Sequence, residues 1–560
     1  MIAARHCGRG SDVFMKTTLR WILTVFCATS FAWAQTPDII LYNGKIFTSN
    51  EEHLWVEALA IRGERVSTIG TNEAIREMAG AQTTQYDLGG KTVVPGFNDA
   101  HWHQGLRTPV RSFSAPSPPG PFPDPTFTDL LTALSAAAAT TPTDQVLQTT
   151  VGTRVMDDAE ATRFALDRAA PNHQVWVAFT GHGRLLNTAA LRAIGIGEEE
   201  ADPVGGLYGR VDGSHRLDGR VYGYADFNAF KCQQADMTES VAVSRIRTTV
   251  TNALQFGITS IQDMPNLPPK QVVKLLAAAD VPIRWRVIRN LPSQQLTCPG
   301  VEDWSDPAGP LHPMVTLSGT KWFVDGTPAE RFMATWQPYV EFPNWFGWLY
   351  LGFDQIDALI ADTFARQEQL LFHVSGDRAA DNLFLALIAL GSSRSWRDLR
   401  PRLEHGGMLS RSQLDLIRQL GIVVVYTPFT SNPLTLERAS DQMGKLHVTK
   451  SILAAGIPLA IGSDGPSGPM NPFQNIQSAV IHIDNPPEAL TREQAVIAYT
   501  AGSAFAEMAE KQKGMLLPGM LADLAVLSQD IFTVPLDQLP AVRSVLTMVG
   551  GKIVYQAEPH

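Results

Sequence analysis

The run Pro95-Gly96-Phe97-Asn98-Asp99-Ala100-His101-Trp102-His103 ends in two imidazoles spaced two residues apart. On an extended strand alternate side chains point the same way, so His101 and His103 can reach one metal ion together. In a chain with 13 histidines a lone His-x-His is a weak signal. It gains weight because Lys321, His373, His405 and Asp464 stand in other short, strand-like segments of the same chain. Strand ends of a parallel barrel converge on one mouth, so four imidazoles, a carboxylate and a lysine would meet there.

The elements that must position them can be read from the apolar pattern. Eight short apolar strands ending in polar residues are predicted at 95–101, 258–264, 284–290, 320–326, 370–376, 401–407, 422–428 and 459–465. Helical stretches at 353–370 and 411–420 lie between some of them. Strand–helix alternation of this number predicts an α/β fold, a (β/α)8 TIM barrel over 95–509. The gap between the first two strands is too long for one connection, so an insertion is expected at about 105–245. Its proline-rich start, from Pro116 to Pro125, reads as an extended arm. Both chain ends look different. Residues 35–94 and 510–560 read as short strands and turns, which predicts a small β-sandwich domain built from both termini. Asn43-Gly44 reads there as a hairpin turn between 39–42 and 45–48, and Gly550-Gly551 as another near the C-terminus.

The 560 residues are 44% apolar and 18% charged, which excludes a coiled coil or a disordered acidic chain. Residues 1–34 read as an export signal: Lys16 and Arg20, an apolar run over 21–31, then Ala32-Trp33-Ala34 as a cleavage site. The protein is therefore expected to be exported, periplasmic or secreted. Without that segment 41 basic residues face 54 acidic ones, a net of −13. So acidic a chain, with no basic run, is a poor partner for nucleic acid or anionic membrane. No membrane span is expected outside the signal, and a homo-oligomer is left open. Cys232 and Cys298 remain, and export permits a disulfide between them.

The sequence resembles the amidohydrolase superfamily, and within it the subgroup of N-substituted formamide deformylases. PGFNDAHWH (95–103), GITSIQDM (257–264), TKWFVDG (320–326), FHVSGDRA (372–379), RLEHGG (402–407), IGSDGP (461–466) and GMLLPGMLADLAVL (514–527) carry the likeness. It implies a metal-dependent hydrolase of amide-like carbon–nitrogen bonds with a small-molecule substrate. His101, His103 and Asp464 would bind one metal, His373 and His405 a second, and Lys321 would bridge them as a carbamate. Histidine and carboxylate ligands favour Zn2+, two per chain as the resemblance implies, with other divalent ions able to substitute. Asp464 would act as the catalytic base, taking a proton from metal-activated hydroxide and passing it to the leaving nitrogen. An ion pair between Lys321 and Asp325 is the bland alternative for that lysine.

Other residues invite substrate contacts. His182 precedes an Asn-x-Ala-Ala-Leu stretch that also resembles the family, and Arg378 follows His373 in the strand-end loop. Trp345 and Trp348 belong to an aromatic run over 336–353 that is expected either to hang over the mouth or to pack against the insertion. After the seventh strand Tyr426-Thr427-Pro428-Phe429 departs from the family's Gln-Pro and following His. Two further readings stand beside the first: a cyclic-amide hydrolase or deaminase of the same superfamily, and a non-catalytic binding or regulatory protein that keeps the fold. The Val-Ser-Gly-Asp after His373 lacks the His-x-x-Glu of single-metal deaminases, and intact ligand positions weigh against the binder.

Overall fold

The eight expected strands form one parallel sheet in chain order. In the computed structural model they are β1 (Phe97–Trp102), β2 (Ile258–Asp263), β3 (Arg284–Arg289), β4 (Val315–Phe323), β5 (Leu370–Val374), β6 (Arg402–His405), β7 (Val423–Tyr426) and β8 (Leu459–Ile461). The structure describes residues 36–105, 110–118, 123–179, 181–234, 237–294, 296, 303–391, 393–428 and 446–558. The export signal expected at 1–34 lies outside them.

The sheet nearly closes into a barrel of the TIM type. A parallel bridge pairs Trp102 with Gly465 just beyond β1 and β8. The Asp464 amide donates to His101 O at 2.7 Å, and the His103 amide to Gly465 O at 2.7 Å. Gly462 permits this approach, since a Cβ there would stand 2.4 Å from the Cβ of His101. Strands β5, β6 and β7 are buried along their whole length, as expected of parallel strands covered on both faces.

Helices cover the outside. Arg411–Leu420 shows how the sequence sets one: Ser410 and Gln413 cap each other's backbone at its start, Gly421 at φ 69° ends it, and Leu414, Ile417 and Leu420 are buried. The helix expected at 353–370 stops at Ala365, because Gln367 turns left-handed (φ 56°) to enter β5.

The insertion holds its own sheet. Six strands lie in the order Gly206–Arg210, Leu217–Gly223, Gly183–Leu186, Val175–Phe179, Val146–Val151 and Val110–Ser112, among the described residues. Leu130, Leu147, Val177 and Leu185 form one side of its core. Cys232, on the helix Tyr224–Gln233, is disulfide-bonded, and Cys298 lies outside the described residues.

The chain ends make two sheets. Ile39–Tyr42, Ala58–Arg62, Arg65–Gly70 and Thr84–Asp87 form one. Lys45–Phe47, Trp55–Val56 and Thr92–Pro95 join Leu524–Leu527, Ser544–Val549 and Lys552–Gln556 in the other. This corrects the hairpin expected at Asn43-Gly44, because the two flanking strands belong to different sheets. Asn43 (φ 56°) redirects the chain, held by Asn72 Oδ1 at its amide and by Asp87 Oδ1 at its side chain. The Gly550-Gly551 hairpin forms as expected, with Val549 opposite Lys552.

Candidate metal centre

His101 leaves the end of β1 and His103 follows just beyond it, opposite Asp464 in the turn after β8. The three side chains converge: His101 Nε2 is 3.2 Å from His103 Nε2 and 3.4 Å from Asp464 Oδ1, and His103 Nε2 is 3.5 Å from the same oxygen. Their other contacts fix what these atoms carry. Glu404 Oε2 lies 2.5 Å from His101 Nδ1, and the Met264 carbonyl lies 2.8 Å from His103 Nδ1. Both partners are acceptors, so both imidazoles donate through Nδ1 and leave lone pairs on Nε2. Two bare nitrogens and a carboxylate oxygen thus face one another with no proton between them. Such a triangle calls for a cation. Its edges also match the about 3.4 Å that separates ligands in a tetrahedral site with bonds near 2.1 Å.

The remaining candidates continue the cluster. The ring of His405 lies 4.8 Å from that of His101 and 4.6 Å from that of His373, and His373 lies 4.8 Å from His182. Thr427 Oγ1 is 2.9 Å from His405 Nδ1, and Ser375 Oγ is 3.2 Å from His373 Nε2. His405 (φ 71°) and Asp464 (φ 52°) both hold left-handed backbone conformations, which cost non-glycine residues energy and gather at functional sites.

The protonation states suit metal binding. Burial pushes His103 down to about 4 and His182 to about 3, and carries His373 and His405 well below the ordinary histidine range. Neutral imidazole is the ligating form. Burial raises Asp464, but His101 and His103 wherever they carry a second proton, and the Lys321 ammonium, outweigh it in the metal-free protein and hold the carboxyl below its usual value. Lys321 is fully buried on β4, its Nζ 3.6 Å from Met264 Sδ and 4.9 Å from the centre of the Phe323 ring. Burial lowers it to about 8 against the opposing pull of Glu404 and Asp464. The ion pair with Asp325 is not formed. Asp325 instead accepts the amides of Ser375, Ala334 and Gly376, each at 2.9 Å.

Glu404 escaped sequence reasoning as a site residue. It is wholly buried, with Arg402 Nε 2.7 Å from Oε1 and Arg402 Nη2 3.0 Å from Oε2. Burial alone would raise its carboxyl, but Arg402, His101 and Lys321 hold it well below the ordinary range. Two opposite charges at alternate positions of a buried strand were the available signal, since such groups stay inside only when paired. Glu330 was also missed. Its Oε1 is 3.8 Å from His182 Nδ1, and burial raises its carboxyl to about 7.

The expected substrate contacts separate. His182 joins the cluster from the insertion. Arg378 goes to the aromatic loop, where Nη2 donates to the carbonyls of Phe346 and Gly347 at 3.0 and 3.1 Å. Trp348 packs against Tyr350 at 4.8 Å, and Tyr350 in turn lies 6.1 Å from His182. Trp345 turns outward, 39% exposed, with Nε1 donating to Arg331 O at 2.6 Å.

Known proteins share this organisation. Residues 85–555 match the amidohydrolase family. Protein LONG AFTER FAR-RED 3 of Arabidopsis thaliana is 25% identical across 92% of this chain and 91% of its own. An N-substituted formamide deformylase of Arthrobacter pascens is 25% identical across 93% of this chain and 99% of its own. The solved structure of an uncharacterized metal-dependent hydrolase from Pyrococcus furiosus superposes with a TM-score of 0.63 at 20% identity, covering 88% of this chain and all of that one. With the family matched over most of its length, the chain belongs to the amidohydrolase family and is a metal-dependent hydrolase acting on carbon–nitrogen bonds.

Proposed function

We propose that this protein is an exported enzyme that hydrolyses an amide-like bond of a small molecule, an N-substituted amide or formamide. The triangle of His101 Nε2, His103 Nε2 and Asp464 Oδ1, all acceptors within 3.5 Å of one another, carries the reading. The likeness to an N-substituted formamide deformylase supports the choice of bond. The donor set fits Zn2+, and His373, His405 and Lys321 offer ligands for a second ion.

When bound, the metal supplies Lewis acidity, which acidifies water and polarises the substrate carbonyl. The chain's own residues do the rest. Asp464, whose carboxyl lies below its usual range, takes the proton of the attacking water and returns it to the departing nitrogen. Glu404 holds His101 in the tautomer whose Nε2 is free. Lys321, with its amine lowered to about 8 in an apolar setting, has a neutral fraction able to add carbon dioxide and become an anionic ligand. His182 and Tyr350 border the space in which the acyl part sits. The two terminal sheets act as one small β-sandwich domain, a reading supported by the buried cluster that joins Leu41 and Leu59 to Val93, Leu524 and Met548.

The test is a screen of the zinc-loaded protein lacking residues 1–34 against N-substituted formamides, linear amides and cyclic amides, with metal analysis of the same sample. Turnover of linear amides or formamides with bound zinc is expected. Turnover confined to cyclic amides, or a metal-free protein without activity, overturns the reading. N-terminal sequencing of protein recovered outside the cytoplasm checks export, with Gln35 as the expected first residue.

A further inference from the structure

The helix Tyr224–Gln233 of the insertion turns one face toward the barrel mouth. Phe227 gives the direction, its ring 4.2 Å from that of Phe323 at the end of β4 and 5.0 Å from that of His182. One turn further along, where an apolar residue would suit the packing, stands Lys231. It is 1% exposed, and its Nζ has no hydrogen-bond partner among the described residues. The nearby carboxylate of Asp226 is engaged by Arg184, which donates to it and to the Asp226 carbonyl. The ammonium lies 5.8 Å from the centre of the Trp304 ring and 6.0 Å from that of Phe227.

Lys231 is not alone. Trp304 Nε1, Asn228 Oδ1 and both amide atoms of the Gln234 side chain are also buried and unpartnered. Asn228 and Gln234 stand three residues before and after Lys231, which puts all three along one stripe of the helix. Buried polar atoms in folded proteins are nearly always satisfied, and a buried ammonium without a hydrogen-bond partner is costly. Burial lowers this amine to about 7, so it remains partly charged near neutral pH. A cation and an indole N–H, walled by two aromatic faces, are the donors a carboxylate needs.

We propose that Lys231 and Trp304 Nε1 form a subsite for the carboxylate of an anionic substrate, beyond Phe227 from the histidine cluster. The scissile bond then belongs to an amide that carries a carboxylate at its far end, with its middle lying along Phe227. This deepens the amide-hydrolase reading and rests on it for the chemistry at the other end of the ligand.

The experiment is calorimetric titration of the metal-loaded protein with phenylacetate and phenylacetamide, on wild type, K231M and W304F. The wild type is expected to bind the acid about tenfold or more tightly than the amide, a difference of about 1.4 kcal/mol. K231M should bind both alike and melt no lower than wild type, because it removes a buried amine that no hydrogen bond satisfies among the described residues. W304F, which keeps an aromatic wall and loses the donor, should weaken the acid alone by about threefold to tenfold. A preference for the acid that survives in K231M, as it would for a carboxylate held only by metal, overturns the subsite. If K231M fails to fold, W304F decides: an unchanged affinity for the acid overturns the proposal. Lysine-dependent acid binding without turnover of any amide leaves the subsite standing and removes the amidase reading. Amide turnover with no preference for acids does the reverse.

Discussion

Glu404 Oε2 lies 2.5 Å from His101 Nδ1, so β6 decides which nitrogen of a β1 histidine faces His103 and Asp464. Arg402 grips the same carboxylate through two nitrogens and also donates to Ala100 O at 2.7 Å, one residue before His101. Glu404→Gln is therefore expected to fold and to weaken metal binding about 10–100-fold, the usual effect of losing a carboxylate behind a ligating histidine. Residual metal after dialysis against graded chelator measures this. Glu404→Ala should also lower the melting temperature, because it leaves Arg402 buried without its carboxylate.

His101→Ala, His103→Ala and Asp464→Ala each remove one corner of the triangle. Each is expected to lower bound metal and to reduce hydrolysis by at least about a thousandfold, since the site loses both its metal and the water the metal activates. Full metal content together with full activity in any one of them would remove the assignment.

Much of this candidate centre was legible because the residues proposed as its ligands stand at strand ends, where short apolar runs stop at His101, His373 and His405. Glu404 sits in the same quoted segment as His405, yet its role depends on which β1 residue it meets, and sequence spacing does not carry that register. Arg378 follows the candidate ligand His373 closely but lies in the first turn of the helix Asp377–Leu390, and helix geometry takes its side chain to the aromatic loop. The Asn43-Gly44 hairpin failed for a related reason. A turn-favouring pair fixes a change of direction, not which neighbouring strand is then joined.

Lys321 is expected to be carboxylated in the metal-loaded protein. Its Nζ has a thioether and an aromatic ring as neighbours, and burial favours the neutral amine that carbon dioxide requires. Electron density beyond Nζ, or rescue of Lys321→Ala by short carboxylic acids, would establish it. A bare amine in a fully active, metal-replete enzyme would refute it.

Each buried imidazole contributes less stability to the metal-free protein as pH falls. In the unfolded chain histidine takes its proton near pH 6.5, whereas in the fold His103 does so only at about 4 and His182 at about 3. Below about pH 6.5 these rings bind more protons in the unfolded state, and their contribution to stability falls as pH falls. His373 and His405 act in the same direction. Buried Asp99, Asp263, Asp325 and Glu330, raised to between about 6 and 8, act in the opposite direction, so the test is a difference between two proteins. Urea midpoints of wild type and His182→Asn between pH 7 and pH 4 should differ in slope by about one proton's worth, ~1.4 kcal/mol per pH unit, with the variant losing less stability as pH falls. An equal pH dependence in wild type and His182→Asn would contradict the burial of this ring.

Trp348 and Trp345 sit three residues apart on the aromatic loop and are expected to behave differently. The ring of Trp348 is partly buried against Tyr350 and Phe332, at 4.8 and 5.4 Å, and Tyr350 borders His182. Removing it loosens the wall that faces the histidine cluster. Trp345 instead shows 39% of its surface to solvent and anchors its indole on Arg331 O. Burying one bulky apolar group contributes roughly 1.5–3 kcal/mol, or about tenfold to a hundredfold in kcat/KM. Trp348→Ala should therefore cost substrates with aromatic or bulky apolar acyl groups about that much more than small polar amides. Trp345→Ala should change both classes by less than about threefold, as befits a residue whose contacts are with its own loop. Specificity constants for a matched pair of amides, taken with metal content, make the comparison. Equal losses for both classes in Trp348→Ala, at unchanged metal content, would mean that the loop serves packing alone.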